Sequence, residues 1–189
     1  MSLLFKRSIF VLTGILIIII FTIWYIYEYK ILSVNNLNET ETLTIEFFNK
    51  EGEDIGNAHL IEDRGGVRLQ LNFHDLAPGQ HGFHVHEIGE CKKPDFKSAG
   101  GHFNPTEKQH GFENPLGYHL GDLENIIADQ DGKVNTEVEL RNVTLKGEGA
   151  HSLLDHDGSS IVIHQHMDDY ISDPSGNSGS RIGCGVIND

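Results

Sequence analysis

Val67-Arg68-Leu69-Gln70-Leu71-Asn72-Phe73 alternates apolar and polar residues without a break. Successive side chains of a β-strand point to opposite faces, so this run predicts a strand with one face buried and the other in water. The same alternation appears upstream, where Leu43, Ile45 and Phe47 enclose Thr44 and Glu46. It returns downstream in Val134, Thr136, Val138 and Leu140. Between these runs stand turn signals: Lys50-Glu51-Gly52, Arg64-Gly65-Gly66, Ala77-Pro78-Gly79 and Asp131-Gly132. No amphipathic helical stretch follows residue 41, so the pattern predicts an all-β sandwich or barrel. One long segment, residues 88–123, breaks the rhythm with prolines, glycines and no period. Loops of that length inside a compact domain are commonly functional.

The chain has 189 residues, 38% hydrophobic and 22% charged, with a formal net charge of −14. That composition excludes a disordered tail and a polytopic membrane protein, and the negative charge argues against nucleic acid as a partner. The N-terminus differs from the rest. From Ser8 to Tyr27 no residue is charged, Lys6 and Arg7 precede the run, and Trp24, Tyr25, Tyr27 and Tyr29 gather at its far end. Twenty residues at about 1.5 Å rise span roughly one hydrocarbon core, which predicts a single-pass transmembrane helix with the short N-terminus in the cytoplasm. No small-x-small cleavage site follows, so a signal anchor is expected, with release by cleavage as the alternative. The expected organisation is therefore a cytoplasmic stub and anchor over 1–30, a polar linker over 31–41 and one extracytoplasmic domain over 42–189.

Twelve histidines are more than packing calls for. His84 and His86 stand two apart in a strand-like stretch, so both imidazoles can reach one metal from one face, although two polar residues facing solvent would show the same spacing. The long loop adds His102, His110, His119 and Asp122, three imidazoles and a carboxylate that can fill a tetrahedral zinc shell. His164 closes the apolar run Ile161-Val162-Ile163 and offers a third imidazole to the His84/His86 pair, a nitrogen set that suits copper. His166, two residues further on, fits the same face by pattern alone.

Six blocks in order make the chain resemble the copper-zinc superoxide dismutases: Gly82-Phe83-His84-Val85-His86-Glu87, Gly101-His102-Phe103-Asn104-Pro105, His110-Gly111, His119-Leu120-Gly121-Asp122-Leu123, Ile163-His164, and the stretch from Gly176 to Val186 that contains Arg181 and Cys184. The resemblance implies a Greek-key β-barrel or sandwich of about eight antiparallel strands with long metal-binding loops, preceded here by the transmembrane helix. It implies one copper per chain at His84, His86, His102 and His164, and one zinc at His102, His110, His119 and Asp122. His102 then bridges the two metals, leaves copper on reduction and carries a proton to the next superoxide. Arg181 would draw in the anion, and Asp168 would join His84 to His110 from outside the ligand shells. His81 would be structural; His59, His74, His151, His156, His166 and Asp169 receive no ligand role. Cys91 and Cys184, an even count in an exported domain, read as one disulfide.

The implied activity is dismutation of superoxide to dioxygen and hydrogen peroxide. A non-catalytic copper or zinc binding or delivery module on the same fold is the alternative, and Arg181 speaks against it because a carrier has no use for a cation beside its copper. The segment from His164 to Arg181 lacks lysine, so Lys92, Lys93 and Lys97 are candidates for an attractive track toward the copper. Ser175 stands where the family often has a threonine at the anion channel. Partners are expected to be superoxide and, through the N-terminal helix, the membrane, with the protein a monomer or a homodimer.

Overall fold

The computed structural model describes residues 16–30, 41–147 and 149–188. The chain divides into two units, residues 1–40 and 41–189, which are taken separately.

In the first unit, residues 16–30 form a helix whose apolar side chains are largely exposed. At 1.5 Å per residue the described stretch accounts for about 22 Å. The transmembrane span expected from Ser8 to Tyr27 is not supported: among the described residues no helix is long and apolar enough to cross a membrane. The first part of that run, Ser8 to Ile15, and residues 31–40 of the expected 31–41 linker lie outside the described residues.

Among the described residues the second unit has nine strands: β1 (Thr42–Asn49), β2 (Asp54–Asp63), β3 (Gly66–Phe73), β4 (Gly79–His81), β5 (Phe83–His86), β6 (Ile126–Ala128), β7 (Val134–Arg141), β8 (Ser159–His164) and β9 (Arg181–Ile187). Seven pair antiparallel in the order β5-β8-β9-β1-β2-β3-β7, and β4 pairs with β6 in a second, two-stranded sheet. The expected Greek-key all-β architecture is what the structure has. The count rises from about eight to nine because one strand is interrupted at Gly82, so that β4 joins the small sheet and β5 the large one.

Alternation dictates what is inside. Leu69, Leu71 and Phe73 of β3 are buried while Gln70 and Asn72 are exposed, and Ile45 and Phe47 do the same on β1. Phe47, Phe73 and Phe83 form an edge-to-face chain with ring centroids 4.7 and 6.0 Å apart. Such pairs contribute ~0.5–1.5 kcal/mol beyond the area they bury. On β7 the rule weakens: Thr136 is exposed and Val138 only half-buried, because β7 is the edge of the large sheet.

Residues 88–123 are irregular, with a single 3-10 turn at Lys97–Ala99. They are nevertheless tied to the sheet. Val85 N–H donates to Gly121 O, Phe103 N–H donates to Val85 O, and Gly121 N–H donates to Phe103 O, each at 2.8 Å. Glycine is required at 121, since a Cβ there would stand 2.3 Å from Val85 O. A disulfide between Cys91 and Cys184 joins the start of this segment to β9 and packs with Phe96, Ala99 and Val162.

Candidate metal centre

Strand β5 carries His84 and His86, and the tethered loop lies along its free edge, with bridges from His84 to Asp122 and from His86 to His102. On the other edge β5 pairs with β8, which ends at His164. There the β8–β9 register slips by a bulge and sets His164 opposite Arg181. Four segments far apart in sequence thus converge at one end of the barrel.

His84, His86, His102 and His164 are all buried and offer ring nitrogens within 4.8 Å of one another. Each ring has one nitrogen engaged. His84 Nε2 bonds Asp168 Oδ2 at 2.6 Å, His86 Nδ1 donates to Gly100 O at 3.1 Å, His102 Nδ1 meets Asp122 Oδ1 at 2.8 Å, and His164 Nδ1 meets Ser178 Oγ at 3.0 Å. The opposite nitrogens, His84 Nδ1, His86 Nε2, His102 Nε2 and His164 Nε2, are buried without a partner among the described residues. A buried polar atom left unpaired costs about 1–3 kcal/mol, so four in one small volume call for a shared ligand. Burial pulls the pKa of His84 down and that of His86 further; neighbouring imidazoles and, for His86, Arg181 add to it. Burial likewise holds His102 at about 4 and His164 at about 2. At neutral pH these rings present lone pairs, the form in which imidazole binds a cation.

The second group shares His102. The Nδ1 atoms of His102, His110 and His119 meet Asp122 Oδ1 at 2.8, 3.0 and 3.2 Å, and the His102 and His119 nitrogens lie 3.4 Å apart. A tetrahedral zinc shell with arms of about 2.0–2.1 Å has edges of roughly 3.3 Å, so the donor spacing fits that ion. Asp122 is fixed by its other oxygen, which accepts Gly111 N–H at 2.9 Å and His119 N–H at 3.0 Å. Burial alone would raise the Asp122 carboxyl, but hydrogen bonds from His102, His110 and His119 hold it far below the carboxylate range. His110 moves the other way: burial opposes its charge, yet Asp122 and Asp168 outweigh that and raise it to about 9.

Asp168 stands between the groups, 2.6 Å from His84 Nε2 and 3.0 Å from His110 Nε2. Arg181 is half-buried, and its guanidinium donates to Phe96 O and Gly100 O, both at 2.6 Å. Gly100 O also receives His86 Nδ1, so one carbonyl orients both a cluster histidine and the cation beside it. Burial lowers the Arg181 pKa, but a guanidinium remains charged at any relevant pH. His81 lies between the carbonyls of Ala77 and His164, at 2.8 and 2.7 Å.

Other residues stand apart. His166 is exposed, outside both groups. Asp169 caps a turn by accepting Ile171 and Ser172 N–H, which holds its carboxyl at about 2. The expected lysine track does not form: Lys92 pairs with Glu90, Lys97 with Asp95, and Lys93 donates to Glu51 O. Ser175 is half-buried, its carbonyl accepting Ser178 N–H. Sequence reasoning missed Ser178, whose fully buried hydroxyl meets His164 Nδ1. It also missed Asn125, whose side chain bonds Asp168 N–H at 2.8 Å and Asp168 O at 2.9 Å.

Comparison with known proteins matches residues 55–187 to the family described as copper/zinc superoxide dismutase. Superoxide dismutase [Cu-Zn] 2 of Aquifex aeolicus is 52% identical over 143 residues, covering 75% of this chain and 84% of the relative. Superoxide dismutase [Cu-Zn] of Caulobacter vibrioides is 45% identical over 139 residues, covering 72% and 80%. Among solved structures, a double mutant of a SOD-like protein from Bacillus subtilis superposes with a TM-score of 0.75 at 44% identity, covering 77% of this chain and 97% of that one.

Proposed function

The chain belongs to the copper/zinc superoxide dismutase family of enzymes, whose cofactors are copper and zinc, and from that premise we propose how its residues serve the reaction. His84, His86, His102 and His164 hold copper; His102, His110, His119 and Asp122 hold zinc. Superoxide is the substrate, and dioxygen and hydrogen peroxide are the products. The observation that carries the reading is the set of four buried ring nitrogens that face one another without partners. When bound, copper would supply one-electron redox chemistry toward superoxide, while zinc would stay redox-silent.

The chain's own residues do the rest. Against a net charge of −14, a small anion needs a local cation, and Arg181, pinned by two carbonyls beside His86, provides one. His102 turns its Nδ1 to Asp122 and its Nε2 to the other three imidazoles, so it can hold a proton at Nε2 whenever that atom is not a ligand. A proton held there stands where a reduced oxygen species can take it. Asp168 orients His84 and His110 together and keeps their outer nitrogens engaged. A metal carrier on the same fold would have no use for the anchored Arg181. Arg181→Ala is expected to slow superoxide decay on the order of tenfold or more at unchanged copper content. An unchanged rate would remove the anion-guiding role.

The domain over 42–189 is assigned to the outside of the cytoplasm, in keeping with the Cys91–Cys184 disulfide. The uncharged run from Ser8 to Tyr27 is its tether. Full-length chain in the membrane pellet is the expected outcome, and a soluble form starting near residue 30 would refute tethering.

A further inference from the structure

Three segments meet at Tyr170. Its N–H donates to Asp168 Oδ1 at 2.6 Å, its carbonyl accepts Glu113 N–H at 3.0 Å, and its phenol oxygen accepts Asn125 N–H at 2.8 Å. The backbone adopts φ of 62°, a left-handed conformation disfavoured for any residue with a Cβ, so the surroundings hold it there. Gly111 lies directly against it, since a Cβ at 111 would come within 2.1 Å of Tyr170 O. The ring packs near Phe112, with centroids 5.8 Å apart.

What these contacts join is specific. Gly111 and Glu113 follow His110; Asn125 follows Asp122 by three residues; Asp168 contacts both His84 and His110. Asn125 completes the clamp by bonding both the N–H and the carbonyl of Asp168. Among the described residues no hydrogen bond or ring pair joins Tyr170 to a histidine of either group, so its effect passes through Asp168 and the loop backbone. The geometry points to Tyr170 as a positioning residue that latches both ends of the zinc-ligand loop onto the segment bearing Asp168. Its hydroxyl thereby sets how tightly the second group holds its ion. This rests on the zinc assignment to His102, His110, His119 and Asp122 proposed above.

The test uses the full chain. Tyr170→Phe keeps the ring and removes only the acceptor of Asn125 N–H. Leu145→Ala, a truncation in the apolar core, serves as the purely destabilising control. Two quantities are read in each: the rate of zinc release to a chromogenic chelator, and the visible absorption of cobalt(II) loaded in place of zinc, which reports ligand geometry. Tyr170→Phe is expected to release zinc about tenfold faster and to shift the cobalt spectrum, as loss of an outer support does. Leu145→Ala is expected to leave the spectrum unchanged. A Tyr170→Phe chain with parental release and spectrum overturns the inference. So does faster release in both variants with parental spectra, which would mean general loosening. Failure of the parent chain itself to take up cobalt would instead overturn the zinc assignment, and with it the premise.

Discussion

Removing the Asp168 carboxylate should weaken both metals at once. Its two oxygens reach His84 Nε2 at 2.6 Å and His110 Nε2 at 3.0 Å, and its side chain is 1% exposed. Bulk water is therefore kept from both bonds. Losing a carboxylate that orients a ligand histidine typically costs ~10- to 100-fold in metal affinity. In free energy that is about 1.4–2.7 kcal/mol for each site. In Asp168→Ala the two ring nitrogens are also left unpaired in a buried place, which should lower the stability of the metal-free fold by about 1–3 kcal/mol for each. Asp168→Asn behaves differently. An amide puts an NH2 in place of one of the two oxygens that the rings contact, so one histidine keeps its acceptor and the other does not. The assay is competition for copper and for zinc, measured separately against chelators of known affinity, with circular dichroism to verify the fold. Asp168→Ala should lose affinity for both metals, and Asp168→Asn chiefly for one. Affinities within twofold of the parent in Asp168→Ala, or a loss confined to a single metal there, would refute the idea that this carboxylate couples the sites.

Three further outcomes are expected. Because His102 contributes to both groups by opposite nitrogens, His102→Ala should weaken copper and zinc together, by more than the ~10- to 100-fold of an outer-support loss, and equilibrium dialysis with metal analysis would detect it; unchanged copper content would contradict the bridge. His110 must shed its proton to bind zinc, and its pKa in the metal-free protein is raised to about 9. Zinc affinity should therefore climb about tenfold per pH unit from neutrality to pH 9 and then level off. Linkage gives the fold the opposite sign: the stability drawn from protonated His110 is complete below pH 6.5 and is lost as pH rises through about 9. A zinc affinity flat from pH 7 to 9 in calorimetric titrations would contradict both statements.

The strands and the histidines were legible in the sequence for different reasons. Val67 to Phe73 alternates because one face of β3 is buried, and a period of two records that directly. The break at Gly82 was not legible, because it depends on β4 and β5 choosing different partners rather than on any local preference. His84 and His86 announce themselves by spacing within one strand. His102, His110, His119 and Asp122 lie in an aperiodic loop, where only chemistry and family resemblance single them out. Asp168 was reachable through the resemblance alone. Ser178, Asn125 and Tyr170 left no signal: a serine, an asparagine and a tyrosine in loops are ordinary, and their contacts arise only when separate segments close on one another. Lys92, Lys93 and Lys97 misled in the opposite sense. Their charges suggested a track, but Glu90, Asp95 and Glu51 O, close in space, engage all three.

The central claim is that the imidazole group containing His84, His86, His102 and His164 turns over superoxide through copper. It is tested most directly by following superoxide decay with the full chain loaded with copper and zinc, against the same chain loaded with zinc alone. Rapid decay that requires copper is the expected result. Stoichiometric copper at these histidines with decay no faster than the zinc-only protein would contradict it.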